Sequence, residues 1–109
     1  MPSLRELEPW LQPYAQYLVD VGNAQGWRIS LNSVYRSFAA QQTLYARYLR
    51  GQSAYPVAPP GRSLHQYRVA FDLNVRQGSS SPEQAALGDL WNRMGGSWSP
   101  KDPVHFAIR

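Results

Sequence analysis

The chain contains no cysteine, and this absence excludes disulfide bridges, thiolate nucleophiles and thiolate metal ligands. Histidine is scarce as well, with 2 residues in 109. Any bound metal must therefore be held by nitrogen and oxygen atoms, which makes both histidines candidate ligands. The missing cysteines do not fix the redox compartment.

Long apolar runs are also absent. No stretch approaches the roughly 20 apolar residues that a helix needs to cross a bilayer, so a membrane span is excluded. Met1–Trp10 carries Glu6 and Glu8 and has no apolar central region. We therefore expect no secretory signal peptide.

The composition is that of a folded protein, with 43% hydrophobic and 13% aromatic residues. A length of 109 residues suffices for one hydrophobic core, so we expect a single domain over residues 1–109. The expected oligomeric state is a monomer. The net charge of +4 would favour an anionic partner, but the basic residues are scattered. We expect no nucleic-acid binding, since charge alone supports it.

Start signals and 3.6-residue periodicity predict three helices. Ser3–Glu6 has the pattern of a capping box, but Pro9 and Pro13 interrupt the helix that would follow. The three predicted helices are Pro13–Ala24, Phe38–Arg50 with Ser37 as its cap, and Pro82–Met94 with Ser81 as its cap. The residues predicted to face the core are Tyr14, Tyr17, Leu18 and Val21 in the first helix, and Leu44, Tyr45, Tyr48 and Leu49 in the second.

Alternation of apolar and polar residues predicts strands at Trp27–Ser33, Val69–Val75 and Val104–Ile108. In the second of these strands, Val69, Phe71, Leu73 and Val75 should pack against helices, which leaves Asp72 on the opposite, open face. Gly51–Arg62 holds three prolines and is expected to form a loop or lid. The predicted fold class is α+β, a small, mainly antiparallel sheet with helices packed on one face.

Both histidines lie where a metal site could form. His65 and His105, together with Asp72, would provide three ligands and leave one position for water, as catalytic zinc requires. A straight strand would separate His65 from Asp72 by roughly 20 Å, so the chain must fold back over Gln66–Arg68. His105 must then arrive on the last strand, beside the strand that carries Asp72.

Asp102 precedes the second histidine by three residues, with Pro103 between them. Because Pro103 disfavours helical geometry at Asp102, this carboxylate should lie on the loop that enters the last strand. Near the metal without binding it, Asp102 could accept a proton from water and pass it to a leaving amine.

Three segments carry a family resemblance. Ser63–Asp72 resembles the SxHxxGxAxD motif of zinc D-alanyl-D-alanine carboxypeptidases and L-alanyl-D-glutamate endopeptidases, which cut peptidoglycan stem peptides. Gly95–Phe106 resembles the GGxWxxxDxxHF ending of phage endolysins in that family, and Val34–Gln41 is similar to its YRSxxxQ segment. The three segments occur in the family's order. The chain thus resembles the VanX/VanY-type peptidases with the hedgehog/DD-peptidase fold.

The resemblance implies a role for each matching residue. His65, Asp72 and His105 would bind Zn²⁺, Asp102 would act as the general base, and Arg36 would stabilise a substrate carboxylate or the oxyanion. Gln41, Ser63 and Trp98 would line the substrate groove. One departure from the motif is Arg68, which stands where the family has glycine and is costly if that position needs a positive φ.

The implied function is a zinc peptidase acting on bacterial peptidoglycan peptide. An L-alanyl-D-glutamate endopeptidase is favoured because the C-terminal segment is endolysin-like, and a D-alanyl-D-alanine carboxypeptidase is the second candidate. A non-catalytic wall-binding or structural module that keeps the fold is the alternative from another class. If the protein comes from a bacteriophage, we expect it in the host cytoplasm and then at the cell wall or periplasm.

Overall fold

The computed structural model describes residues 1–109 and contains three α-helices, two 3₁₀ turns and one sheet. The helices are α1 (Gln12–Ala24), α2 (Phe38–Leu49) and α3 (Pro82–Arg93), and the strands are β1 (Ser30–Ser33), β2 (Ala70–Asn74) and β3 (His105–Ala107). The 3₁₀ turns are Leu4–Glu6 and Leu64–Tyr67. Each helix is too short and too polar to traverse a lipid bilayer.

The sheet has the order β1-β2-β3, and both strand pairs are antiparallel. In this register Asp72, on the central strand, lies opposite His105 on one side and Ser33 on the other. Side chains of directly opposed residues project from the same face of a sheet. The register alone therefore brings Asp72 and His105 together, and the predicted α+β class is confirmed.

The hydrophobic core lies on the other face of the sheet. Phe71, Leu73 and Val75 of the central segment are fully buried there, as the alternation predicted. Phe71 stacks on Phe106 at a ring distance of 5.5 Å and meets Trp91 of α3 edge-on at 5.2 Å. Helices α1 and α3 cover this face, so the face that carries Asp72 remains open.

The face of α1 that packs against the core carries aliphatic and small residues and no aromatic ones. Leu18 is buried as predicted, but Tyr14 and Tyr17 are each 54% exposed, so their assignment to the core is wrong. Ala15 and Gly22 are buried instead. A Cβ at Gly22 would lie 2.6 Å from the Ile29 side chain, so the contact is too close for a larger residue.

Helix α2 stands apart from the core. It begins after Ser37, whose hydroxyl accepts a hydrogen bond from the Ala40 N–H as predicted, but Gln41 is its one buried residue. Tyr48 and Leu49 are exposed, Leu49 by 66%, so their predicted burial is wrong. The physical reason is that α1 and α3 already cover the apolar face of the sheet.

The first strand begins later than the alternation predicted. Arg28 has a φ of 52°, in the left-handed region that a continuous strand does not hold. The chain therefore bends after Trp27, and the strand begins at Ser30. The side chain of Trp27 still packs against the core from this bend.

Gly88 of α3 gives a stability test of the helix–loop contact. A Cβ at Gly88 would overlap the indole ring of Trp98. We expect Gly88→Ala to lose about 1–2 kcal/mol of unfolding free energy, because so severe an overlap costs about 2–3 kcal/mol, the upper part of the usual overpacking range, and the gain in helix propensity returns only about 1 kcal/mol. Urea denaturation measures the change.

Asp89→Ala, at an exposed position of the same helix, is the matched control and should leave stability nearly unchanged. Equal or greater stability of Gly88→Ala would show that Trp98 can move away at little cost. The rest of the loop would then be less firmly held than its contacts indicate.

Candidate metal centre

His65, Asp72 and His105 form a compact group on the open face of the sheet. His65 Nε2 lies 3.1 Å and His105 Nδ1 lies 3.4 Å from the same oxygen, Asp72 Oδ1. One ligand atom from each residue lies within 4.8 Å of the others. Ligands about 2.0–2.1 Å from a tetrahedral zinc ion are separated by about 3.3 Å, so this donor set fits such an ion.

The chain folds back between His65 and Asp72 through the 3₁₀ turn Leu64–Tyr67, as the sequence required. Ser63 precedes the turn, and its hydroxyl accepts a hydrogen bond from the His65 N–H at 3.3 Å. Arg68 ends the turn in the left-handed region, with φ 62° and ψ 31°. The position therefore does need a positive φ, and this conformation costs a residue other than glycine roughly 1–2 kcal/mol of conformational free energy.

A backbone carbonyl sets the tautomer of His65. Its Nδ1 lies 2.7 Å from the Val34 carbonyl oxygen, which can only accept a hydrogen bond. Nδ1 must therefore carry the proton, and Nε2 presents its lone pair toward the site. The Arg36 N–H donates to the His65 carbonyl oxygen at 3.2 Å, which ties the same turn to the segment after β1.

Arg36 is held by three side chains at the edge of the metal group. Its Nη2 donates to Ser33 Oγ at 3.1 Å and lies 3.5 Å from Asp72 Oδ2, while its Nη1 donates to Gln41 Oε1 at 2.9 Å. A guanidinium has five N–H donors, so two remain for another partner. Gln41 Nε2 donates to the Ala58 carbonyl at 2.7 Å and so connects Arg36 to the 51–62 loop.

The two carboxylates of the site have pKa values shifted in opposite directions. Burial alone would raise the pKa of Asp72, but in the metal-free protein the imidazoles of His105 and His65 outweigh it, through hydrogen bonding and through positive charge when they are protonated, and hold that pKa well below its usual range. Burial is the largest influence on Asp102 and raises its pKa, with His105 opposing the shift. Asp72 is thus kept ionised as a ligand should be, and Asp102 is made a better proton acceptor.

A cleft of about 350 Å³ opens over the metal group. It is bounded by α2, the 51–62 loop, the Ser63 turn and the loop before β3. The predicted site residues that line it are Arg36, Gln41, Ser63, His65, Asp72, Asp102 and His105. Its volume is within the range of small-molecule and short-peptide sites.

Trp98 is the predicted site residue that the structure does not place in the cleft. Its ring packs against Phe106 at 6.4 Å and over Gly88 on the core side. Its indole N–H donates to the Pro103 carbonyl at 2.8 Å. Trp98 therefore supports the loop that carries Asp102, because its aromatic surface is used in packing and is not turned toward the cleft.

Sequence reasoning missed several residues around the site. Leu44, Tyr55, Arg62 and Val104 line the cleft, and of these Tyr55 and Arg62 belong to the segment predicted as a loop or lid. Gln84 of α3 was missed as well, although it is fully buried and hydrogen-bonds to Leu73, Val75 and Pro103. No local signal marks it, because its three partners come from two distant segments.

The fold and the site define an α+β protein with a His-Asp-His metal-ligand group in an open cleft on the bare face of its sheet. The sequence model of the family described as "VanY: D-alanyl-D-alanine carboxypeptidase" matches residues 5–94. Since this match covers most of the chain, the chain belongs to that family. Asp102 and His105 lie beyond the matched residues, so their assignment to the site depends on the geometry described above.

Solved structures share the fold. A mutant of the vancomycin resistance D,D-pentapeptidase VanY in complex with Zn(II) is 24% identical, with a TM-score of 0.72 over 94% of this chain and 72% of that chain. The LD-carboxypeptidase LdcB is 20% identical, with a TM-score of 0.72 over 94% and 58%. DacB from Streptococcus pneumoniae D39 is 21% identical, with a TM-score of 0.69 over 94% and 66%. The comparison with curated proteins gives no significant match.

Proposed function

We propose that this chain is a zinc peptidase that hydrolyses the stem peptides of bacterial peptidoglycan. The observation that carries the proposal is the convergence of His65, Asp72 and His105 on one point, in a cleft that also contains Asp102 and Arg36. Membership of a D-alanyl-D-alanine carboxypeptidase family supports the substrate class. The Zn(II) in the related VanY structure supports the choice of metal.

The donor set suits zinc. Two imidazole nitrogens and one carboxylate oxygen are ligands of catalytic zinc sites, and three protein ligands leave a position open toward the cleft. When bound, zinc supplies Lewis acidity, which polarises a scissile carbonyl and makes water more acidic. His65 is oriented for this task by the Val34 carbonyl, so the ligand needs little rearrangement.

Asp102 is the proposed general base. Its carboxylate lines the cleft, and burial raises its pKa above that of an ordinary aspartate, which improves it as a proton acceptor near neutral pH. The His105 N–H donates to the Asp102 carbonyl at 3.1 Å, so base and ligand are held in one turn. Asp102 would take the proton of the attacking water and deliver it to the leaving amine.

Arg36 is proposed to bind a substrate oxygen. Its two unused N–H donors and its position in the cleft fit a carboxylate or the negative oxygen that develops on the scissile carbonyl. The contacts with Ser33, Gln41 and Asp72 fix the guanidinium before substrate arrives. Such preorganisation lowers the entropic cost of stabilising charge in the transition state.

Two peptide bonds are candidates for cleavage. The family match and the carboxypeptidases among the related structures favour removal of the terminal D-alanine. The likeness of Gly95–Phe106 to phage endolysin endings favours the bond between L-alanine and D-glutamate. We place the D-alanyl-D-alanine carboxypeptidase first, because its support covers most of the chain.

Digestion of purified stem pentapeptide, followed by mass spectrometry, tests both candidates. We expect loss of one terminal D-alanine, whereas release of L-alanine from the other end would identify the endopeptidase. A pentapeptide that ends in L-alanine is the matched control and should be cut more slowly by a D,D-carboxypeptidase. Stems that remain uncut with zinc present would contradict the peptidase proposal.

A further inference from the structure

Arg68 lies between two proposed metal ligands and has a backbone conformation that arginine rarely adopts. It follows the turn that carries His65, precedes the strand that carries Asp72, and has a φ of 62°. Its own N–H donates weakly, at 3.4 Å, to the His65 carbonyl. The chain direction between the two ligands thus depends on a strained residue, which the surrounding structure must hold in place.

The contacts that hold Arg68 come from the N-terminal segment and from Tyr35. The guanidinium carbon lies 4.1 Å from the centre of the Tyr35 ring, in cation–π geometry. Nη1 of Arg68 donates to the Glu6 carbonyl at 3.2 Å, and the Glu8 N–H donates to the Arg68 carbonyl at 2.9 Å. Both the side chain and the backbone of Arg68 are therefore held.

Glu6 links Arg68 and Tyr35, which also contact each other directly. Its Oε1 accepts a hydrogen bond from the Tyr35 N–H at 3.1 Å, and its Oε2 accepts one from the Ser3 N–H at 3.1 Å. Tyr35 lies between Val34, which orients His65, and Arg36, whose N–H bonds to the His65 carbonyl. The N-terminal segment thus reaches the ligand turn from two directions, through Arg68 and through Tyr35.

We infer that Arg68 is a positioning residue that fastens the His65 turn to residues 3–8 and so keeps His65 and Asp72 at metal-binding separation. Its side-chain contacts offset the strain of its backbone. It touches neither the ligand atoms nor the cleft and acts through Tyr35 and the turn. The inference rests on the proposed function insofar as the site binds zinc.

Arg68→Gly separates positioning from general stability. Glycine relieves the backbone strain but removes the contacts to Tyr35 and Glu6. We expect about tenfold weaker zinc binding, measured by competition with a chromophoric chelator, because outer contacts of metal ligands have effects of that size. A residue with only a structural role would alter the unfolding midpoint and leave the zinc affinity of the folded protein unchanged.

Arg28→Gly is the matched control. Arg28 is an exposed arginine with a φ of 52°, and no hydrogen bond, ion pair or cation–π contact of its side chain is seen in the structure. Replacing it relieves the same kind of strain away from the site, so zinc affinity should stay within twofold of the wild type. Wild-type affinity in Arg68→Gly, or an equal loss in Arg28→Gly, would overturn the inference.

A metal-free measurement keeps this test distinct from the test of the proposed function. The Arg36 N–H donates to the His65 carbonyl, and this hydrogen bond should slow exchange of the Arg36 amide in the apo protein. We expect Arg68→Gly to speed hydrogen exchange of this amide several-fold and Arg28→Gly to leave it unchanged. Unchanged exchange in Arg68→Gly would overturn the inference, whereas failure of the wild type to bind zinc would count against the proposed function alone.

Discussion

Asp102→Asn is expected to lower turnover of stem peptide by about 10²–10⁴-fold while zinc stays bound. Asparagine keeps the size of the side chain and the backbone hydrogen bond from the His105 N–H, but it cannot accept a proton. The ligand group His65, Asp72 and His105 does not include residue 102, so the metal content should stay that of the wild type. Initial rates and metal analysis on the same preparation measure both quantities.

Asp89→Asn, an exposed aspartate of α3, is the control for loss of one negative charge and should retain full turnover. If Asp102→Asn keeps turnover within a few-fold of the wild type, Asp102 is not the base. If neither Asp102→Asn nor Asp89→Asn turns over substrate and both bind cell wall equally, the protein is better described as a non-catalytic wall-binding module. The same pair of proteins thus separates a peptidase from a binder.

His65→Ala is expected to abolish metal binding and, with it, all hydrolysis. The side chain of His65 is 3% exposed, and its Nε2 is one of three proposed ligand atoms, so its loss leaves two ligands and an open cavity. We expect zinc in protein purified without added metal to fall from near one equivalent to about a tenth or less. Elemental analysis after gel filtration makes the measurement, and circular dichroism checks the fold.

His105→Ala gives a second route to the same result with less risk to folding, because the side chain of His105 is 31% exposed. Leu64→Ala, an exposed change in the same turn as His65, is the matched control and should retain the metal. Retention of zinc in both histidine variants would show that the metal is held elsewhere. It would also remove the basis of the proposed mechanism.

Local patterns in the chain predicted the elements that depend on near neighbours. The alternation of Val69–Val75 correctly assigned the core face and placed Asp72 on the open face. The caps at Ser37 and Ser81 marked the starts of two helices, because capping involves only the next three residues. The need for a fold-back between His65 and Asp72 followed from their spacing of seven residues, once both were assigned to one metal.

The faces of α1 and α2 could not be read in the same way. Periodicity shows which residues share a face of a helix, but it does not show which face is buried. In α1 the buried face carries Ala15 and Gly22 and not Tyr14 and Tyr17, because Gly22 packs closely against Ile29 and leaves no space for an aromatic ring. Helix α2 has apolar residues at helical spacing, but α1 and α3 already cover the apolar face of the sheet, so α2 does not pack into the core. Both outcomes depend on which elements meet, and that is a property of the whole fold.

The same division holds at the site. The assignment of His65, Asp72, His105 and Asp102 to one proposed site came from residue types and from the family resemblance along the chain, since metal and proton chemistry each need particular side chains. Their convergence needed the strand register and the positive φ of Arg68. Tertiary contacts alone decided three further features, which are the tautomer of His65, the hydrogen bonds that fix the Arg36 guanidinium, and the position of Trp98 outside the cleft. Each of these features depends on contacts between residues that are far apart in sequence, and a local sequence pattern carries no information about such contacts.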